Sequence, residues 1–212
     1  MKTLFAALVL LMTVSLLLPI QANAQVELWQ EGKHYKIISD TKTAKPEVTE
    51  YFSFWCPACY RAEPVVKQIK AQLPEDVAFN KVHVNFMGMA GPQAQNDATM
   101  AMQIGRALKQ EDAMNGAIFN YIHRQRSVIN DLSDIRSIFV VNGVDGAQFD
   151  KLAKSFSVRS LVKRNNDKLA EFREHVSGVP NFIINGKYQA TFTRDMTVQQ
   201  MIDLVLWLTK QA

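Results

Sequence analysis

The chain has 212 residues, of which 48% are hydrophobic and 21% are charged. A chain of this length buries one substantial core, or a core with a modest insertion, and does not need disulfides to fold. The 24 Lys and Arg residues against 20 Asp and Glu residues give a formal net charge of +4, which is too balanced to indicate a nucleic-acid partner. The two basic segments, at 123–126 and 163–164, are interpreted as solvated helix faces.

The first 24 residues are typical of an export signal. Lys2 supplies a positive start, residues 4–20 form an apolar run, and residues 22–24 are small residues at the spacing of a cleavage site. We therefore expect cleavage after Ala24 and delivery of the mature chain to the bacterial periplasm, where disulfides form and persist. The alternative is a retained membrane anchor, because the run is near the lower length limit for a bilayer span.

Two strands and one helix are predicted in the next part of the chain. The segment EVTEYFSFW at 47–55 is rich in β-branched and aromatic residues, which predicts a largely buried strand. From Pro57 to Leu73 the apolar residues recur at three- and four-residue spacing, as on one face of a helix. Alternating apolar and polar residues predict a second strand from Val77 to Met87.

The character of the sequence changes between about residues 92 and 172. This region contains no convincing strand, and its amphipathic segments are separated by Asn-Gly and Asp-Gly pairs that are typical of turns. One helix is predicted to end near Gly143. Residues 149–172 are predicted to form either one long helix or two shorter ones.

Strand signals return between Pro180 and Thr193. The pair Asn185-Gly186 separates two β-rich runs there, which predicts a tight hairpin turn. The segment from Thr197 to Lys210 is predicted to form a closing helix. The resulting order of elements favours an α/β fold with an inserted helical block. Two consecutive domains would need more assumptions to explain the same order.

The chain has two cysteines, Cys56 and Cys59, which lie directly after the first predicted strand. A disulfide between them closes a loop so short that it contributes only about 2 kcal/mol, against about 3 kcal/mol for a fifteen-residue loop. Structural zinc normally needs four Cys or His ligands, and the four histidines show no paired ligand spacing. A zinc site would need the fold to gather distant histidines, so we predict no metal and favour a redox role.

The predicted position of the pair at a helix start supports this redox role. Unpaired amides and the helix dipole at the first turn favour the thiolate of Cys56 and lower its pKa. Cys59, one turn further along, is expected to be more covered and to resolve a mixed disulfide formed at Cys56.

With these residues in place, the sequence resembles the DsbA family of thioredoxin-like thiol:disulfide interchange proteins of Gram-negative bacteria. Four segments match this family in content and order across essentially the whole mature chain: EYFSFWCPACY, KVHVNFMG, SDIRSIF and GVPNFIINGKY. The resemblance implies an α/β thioredoxin fold with an inserted all-helical domain. The expected boundaries are a signal peptide at 1–24, a thioredoxin-like domain at 25–87 and 166–212, and the helical domain at 88–165.

The resemblance also implies an activity. The expected protein is a monomeric thiol:disulfide oxidoreductase that needs no cofactor and donates its Cys56–Cys59 disulfide to newly exported proteins with free cysteines. A quinone-linked membrane oxidase of the DsbB type would then reoxidise it. One alternative is a disulfide isomerase or reductase of the same fold, although the segment from Gln25 to Val48 leaves no room for the added dimerisation module common in such proteins. The other is a non-enzymatic peptide-binding folding helper.

The resemblance also assigns residues to the site. Cys56 matches the nucleophilic, solvent-facing cysteine of the family and Cys59 its buried partner, with Pro57 and Ala58 between them. Val179 and Pro180 match a loop that faces the disulfide, in which the proline is cis and the backbone before it pairs with an extended substrate strand.

Three charged residues match groups that tune the cysteines in the family. Glu50 and Lys81 match a buried acid and base beneath the disulfide, and Glu63 matches an acidic residue near the site. The residue types alone favour exposed strand ends for Glu50 and Lys81, because these types are seldom fully buried. His83 fits equally well as a core histidine and as a participant in the site.

Ala58 departs from the family pattern, in which many members carry His at this position. An imidazole there favours the Cys56 thiolate, and a methyl group does not. We therefore predict a higher Cys56 pKa and a less oxidising disulfide than in relatives with His. Phe54, Trp55, Met87 and Met89 are candidates for either a peptide-binding surface or the core.

Overall fold

The computed structural model describes residues 28–211. The predicted export signal, its alternative as a membrane anchor, and cleavage after Ala24 therefore lie outside the described residues. Within 28–211, no helix is both long enough and apolar enough to cross a bilayer.

Five strands form one mixed sheet in the described chain. Their order across the sheet is β1-β5-β4-β2-β3; β2 and β3 are parallel, and the other neighbouring pairs are antiparallel. The strands are β1 (Tyr35–Ile37), β2 (Glu47–Phe52), β3 (Ala78–His83), β4 (Asn181–Ile184) and β5 (Tyr188–Ala190).

Seven helices accompany these strands in the described residues. They are α1 (Pro57–Gln72), α2 (Pro92–Ala107), α3 (Glu111–His123), α4 (Leu132–Val141), α5 (Gly146–Ala153), α6 (Phe156–Glu171) and α7 (Val198–Thr209). Helices α2 to α6 lie between β3 and β4 in the chain, so the predicted α/β order with an inserted helical block is confirmed.

The first two predicted strands end earlier than their apolar patterns suggested. Strand β2 ends at Phe52 because Ser53 starts a turn, in which its hydroxyl accepts from the Trp55 amide and its carbonyl from the Cys56 amide. Strand β3 ends at His83, since the Val84 amide makes one last bond to the Phe52 carbonyl and the partner strand ends there.

The two faces of the sheet are covered by different helices. Val66 and Ile69 of α1 and Ile202 of α7 pack in one apolar cluster with Val48 and Phe182 of the sheet. The other cluster joins the end of α6 to the opposite face through Leu169, Phe172, Tyr51, Val82 and Ile183. The sheet is therefore covered on both sides, which explains why β2 is buried along almost its whole length.

The predicted segment at 149–172 forms two helices. Ser155 separates α5 from α6, because its hydroxyl accepts from the Val158 amide and caps the second helix. Helix α6 crosses the predicted domain boundary at residue 166 without interruption, and its Asn165 side chain bonds both the amide and the carbonyl of His83. This pairing attaches the helical block to the edge strand β3.

The hairpin between β4 and β5 is confirmed. Residues 185–187 connect the strands, since Ile184 pairs with Tyr188, and the Lys187 amide donates to the Ile184 carbonyl at 3.0 Å. Asn185 and Gly186 have φ angles of 53° and 64°, and both residue types tolerate this left-handed conformation. Helix α7 then begins after Thr197, whose side chain forms a reciprocal capping box with Gln200.

Candidate active site

The two cysteines lie where β2 gives way to α1. Cys56 is the N-cap of the helix, with an extended backbone, and its Sγ accepts a hydrogen bond from the Cys59 amide at 3.2 Å. Both cysteines are free thiols. Cys59 is fully buried, and Cys56 is only 4% exposed, so the thiol expected to face solvent is largely covered.

The chain segment that covers Cys56 is the loop at Val179-Pro180. The peptide bond between these residues is cis, and the Val179 carbonyl accepts from the Cys56 thiol at 3.3 Å. The loop expected from the resemblance thus lies directly against the first cysteine.

The fold shifts the pKa values of the two thiols in opposite directions. A hydrogen bond from the Cys59 side chain, backbone amides of Cys59 and Ala58, and the charge of Arg61 lower the pKa of Cys56 to about 6, against the opposing effect of burial. Cys59 donates to Cys56 and is more deeply buried, and both effects raise its pKa. At neutral pH the first sulfur is therefore mostly a thiolate, which no longer donates to the Val179 carbonyl, and the second stays a thiol.

Beneath the cysteines, Lys81 pairs with two acids. Its Nζ lies 2.6 Å from Glu50 Oε2 and 2.7 Å from Glu63 Oε1. Lys81 and Glu50 are opposite each other in the β2·β3 register, and both are buried, so the expectation of exposed strand ends was wrong. Each charge is buried next to its partner, which offsets the cost of removing it from water.

In this triad the ammonium group of Lys81 contacts the carboxyl groups of both Glu50 and Glu63. Burial raises the pKa of Glu50, which the charge of Lys81 opposes and that of Glu63 reinforces. Burial lowers the pKa of Lys81, but the two carboxylates outweigh it and raise the value to about 12. Lys81 thus stays charged, and burial favours the protonated form of Glu50. The charge of Glu50 also contributes to the raised pKa of Cys59.

This arrangement can be compared with known proteins. The profile of the DSBA-like thioredoxin domain matches residues 47–202, which include both cysteines and the Val179-Pro180 loop. The chain belongs to the DsbA-like thioredoxin family. The thiol:disulfide interchange protein DsbA of Shigella flexneri is 34% identical over 198 residues, covering 89% of this chain and 92% of that protein.

Solved DsbA structures agree with this assignment. DsbA from Proteus mirabilis superposes with a TM-score of 0.76 at 30% identity, covering 86% of this chain and 98% of that one. A second Proteus structure, a DsbA variant with the non-covalently bound peptide PWATCDS, gives a TM-score of 0.74 at 28% identity, covering 86% and 99%. The fold is the thioredoxin-like DsbA fold, and the chain is a thiol:disulfide oxidoreductase of this family.

In this family member His83 is a core residue. The Thr99 hydroxyl donates to the Gln95 carbonyl, so it accepts from His83 Nδ1, which lies 2.9 Å away and carries the ring proton. Complete burial lowers the pKa of His83 to about 3, which keeps the ring neutral. The imidazole packs against Phe52 and Phe54.

Four residues were candidates for either a peptide-binding surface or the core, and the structure places some in the core and one at the surface. Phe54 and Trp55 are buried and belong to the core cluster that contains the cysteines. Met87 is half-buried against that cluster, whereas Met89 is 59% exposed. Of these four residues, Met89 is the one free to contact a peptide.

Sequence reasoning missed three residues of α3 that contact the active-site turn. Phe119, Asn120 and His123 reach Phe54 and Tyr60, which flank the cysteine motif. His123 lies in the basic segment interpreted as a solvated helix face, and that interpretation was wrong for this residue. Its spacing of four from the apolar Phe119 was the signal that it shares the buried face of the helix.

Proposed function

We propose that this chain is a periplasmic oxidase of protein dithiols, which donates its Cys56–Cys59 disulfide to newly exported proteins with free cysteines. The opposite pKa shifts of the two thiols carry the proposal. A thiolate that the fold stabilises in the reduced state makes the corresponding disulfide more oxidising.

Each cycle begins with the oxidised protein. A substrate thiolate attacks Sγ of Cys56, the bond to Cys59 breaks, and Cys59 takes the electron pair and a proton. A second substrate thiolate then attacks the substrate sulfur of this mixed disulfide, and Cys56 leaves as a thiolate. The substrate gains one disulfide and loses two protons, one of which goes to solvent, while two electrons pass to the cysteine pair.

The low pKa of Cys56 accelerates the second step. A thiol of lower pKa is the better leaving group in thiol–disulfide exchange, so the mixed disulfide resolves towards oxidised substrate. Glu50 and Lys81, beneath the pair, serve to adjust the charge and the protons available to Cys59, with Glu63 holding the outer side of Lys81.

The surface around Cys56 is the proposed place for substrate. The bound peptide in the related Proteus structure contains a cysteine, and by analogy an extended cysteine-containing segment would lie along the Val179-Pro180 loop of this chain. Pro57 and Ala58 would border this segment on the other side, and Met89 offers an exposed apolar contact.

In the cell, a DsbB-type quinone-linked membrane protein would reoxidise the cysteine pair, since every cycle leaves two electrons on it. The chain would act as a monomer after removal of residues 1–24, with a thioredoxin-like domain at 25–87 and 166–212 and a helical domain at 88–165.

Oxidation of a reduced test protein distinguishes this function from its alternatives. The purified, oxidised protein is expected to form the test protein's disulfide stoichiometrically, and the Cys56→Ser variant is expected to form none above background. Equal disulfide formation by both proteins would favour a peptide-binding helper. Faster rearrangement of a mispaired substrate than oxidation of a reduced one would favour an isomerase.

A further inference from the structure

One side chain of the helical block contacts both flanks of the cysteine motif. His123 is the last residue of α3, and its Nε2 lies 2.8 Å from the carbonyl oxygen of Phe54, two residues before Cys56. The same ring stacks on Tyr60, the residue after Cys59, with a centroid distance of 4.9 Å and an interplanar angle of 9°.

The hydrogen bond has a defined direction. A carbonyl oxygen only accepts, so Nε2 of His123 carries a proton and donates it to Phe54. Two neighbours on α3 reinforce the contact: Asn120 accepts from the Tyr60 hydroxyl at 3.2 Å, and the Phe119 ring lies 5.1 Å from that of Phe54. Helix α3 thus holds the motif before and after its cysteines.

The Phe54 carbonyl belongs to the turn that aims Cys56. In this turn the Cys56 amide donates to the Ser53 carbonyl at 3.1 Å, and the Trp55 amide donates to the Ser53 hydroxyl at 3.2 Å. The Phe54 carbonyl and the Trp55 amide belong to one peptide plane, so the Ser53 hydroxyl holds its amide side and His123 holds its carbonyl side. The orientation of that plane sets where Sγ of Cys56 lies relative to the Cys59 amide, now 3.2 Å away.

We propose that His123 is a positioning residue for thiol–disulfide exchange, which holds the Phe54 carbonyl so that the Cys56 sulfur stays aligned with the amides at the start of α1. Its consequence for turnover rests on the proposed function. Its effect on the sulfur itself does not, because the thiolate is observable without a substrate.

Two substitutions of His123 test its hydrogen-bond donor and its aromatic ring separately. His123→Phe keeps an aromatic ring over Tyr60 and removes the donor, whereas His123→Gln places an amide N–H near the position of Nε2 and removes the ring. The Cys56 pKa of the reduced protein is followed by the ultraviolet absorbance of the thiolate, and the cysteine redox equilibrium is measured against glutathione. Thermal unfolding of both redox forms is recorded in parallel.

We expect the Cys56 pKa and the redox equilibrium to change when the hydrogen-bond donor is lost and to recover when a donor is restored. His123→Phe raises the Cys56 pKa by about 0.5 to 1 unit, the size expected for loss of one hydrogen bond's alignment, and shifts the glutathione equilibrium about three- to tenfold towards the disulfide. His123→Gln recovers at least about half of both changes. His123→Leu serves as a second donor-free variant if the Phe variant does not fold.

A matched control is His34→Phe. His34 is a half-buried histidine whose Nδ1 accepts a local hydrogen bond from the Gln30 amide, and it lies beside β1 at the other edge of the sheet from β3. This variant is expected to leave the Cys56 pKa unchanged.

Two results would overturn the positioning role. In one, the donor-free variants lower the unfolding temperatures of both redox forms equally and leave the Cys56 pKa unchanged, as a purely structural histidine would. In the other, His123→Gln raises the pKa as much as His123→Phe. If the wild-type protein fails to oxidise a test protein but His123→Phe still raises the pKa, the proposed function falls and the positioning role stands.

Discussion

At the scale of single residues, the chemistry depends on the difference in pKa between two thiols that lie within one helical turn. The largest stabilisation of the Cys56 thiolate is the hydrogen bond from the Cys59 side chain, ahead of the backbone amides. The helix start alone is therefore a secondary cause of the low pKa.

This ranking predicts the effect of removing the second thiol. In Cys59→Ala the pKa of Cys56 rises from about 6 towards its ordinary value, because the strongest donor is lost while the amides remain. Thiolate absorbance against pH in the reduced variant measures the change. A midpoint that stays at about 6 would assign the low pKa to the backbone instead.

Ala58 leads to a second prediction at the same scale. Ala58→His is expected to lower the Cys56 pKa by about one further unit and to make the disulfide more oxidising, because a cationic imidazole beside the sulfur favours its anion. Ala58→Gln, of similar size but uncharged, is the matched control and should shift the pKa less. An unchanged or higher pKa in the His variant would contradict this account of the departure from the family.

Residue types alone gave the wrong answer for Glu50 and Lys81. Composition statistics place Glu and Lys outside, and the sequence does not state that two strands bring this acid and this base into register. The resemblance implied a buried pair, since it carries information on tertiary contacts, and the two side chains are buried and 2.6 Å apart in the structure. The contact of His123 with Phe54 spans 69 positions and was not foreseen for the same physical reason.

At the scale of elements, the ion triad connects β2, β3 and α1. The raised Lys81 pKa means that its charge stabilises the fold at ordinary pH, an effect that is lost only as the pH rises through about 12. Without Lys81, Glu50 is a buried carboxyl with no cation beside it. Its folded-state pKa then rises further, so folding takes up a proton and becomes less favourable as the pH increases above the ordinary Glu value of 4.5.

Lys81→Met is therefore expected to destabilise the protein by about 3 to 5 kcal/mol, the usual cost of breaking a buried pair. The loss should be smaller at about pH 5 than at about pH 8. Urea unfolding at both pH values tests this. The double variant Lys81→Met with Glu50→Gln removes the lone carboxyl and should recover stability at the higher pH; a pH-independent loss would show that the missing charge is not the cause.

Local patterns predicted which elements exist better than where they end. Alternation found β3, and the Asn185-Gly186 pair found the hairpin, because both signals are local backbone preferences. The early end of β2 depends on the turn at Ser53, which the aromatic run at 52–55 concealed. Strand β1, three residues long and partly exposed, carried no recognisable pattern.

At the scale of the whole molecule, the cysteine motif lies where the sheet, α1 and the helical block meet. The cluster that buries Cys56 and Cys59 also contains Phe119, Phe139 and Phe149 of the inserted helices. The insertion is therefore part of the environment of the cysteines and does more than cover one side of the sheet. Its existence was predictable from the loss of strand signals after residue 92, but its contact with the motif was not.

The central claim is that the reduced fold stabilises the Cys56 thiolate, so that the disulfide is a strong acceptor of electrons. Equilibration of residues 25–212 with glutathione buffers of graded ratio, followed by trapping of free thiols, tests it most directly. We predict a cysteine pair that stays mostly reduced in buffers where a thioredoxin-type reductase is already mostly oxidised. A pair that becomes oxidised together with the reductase would contradict the account.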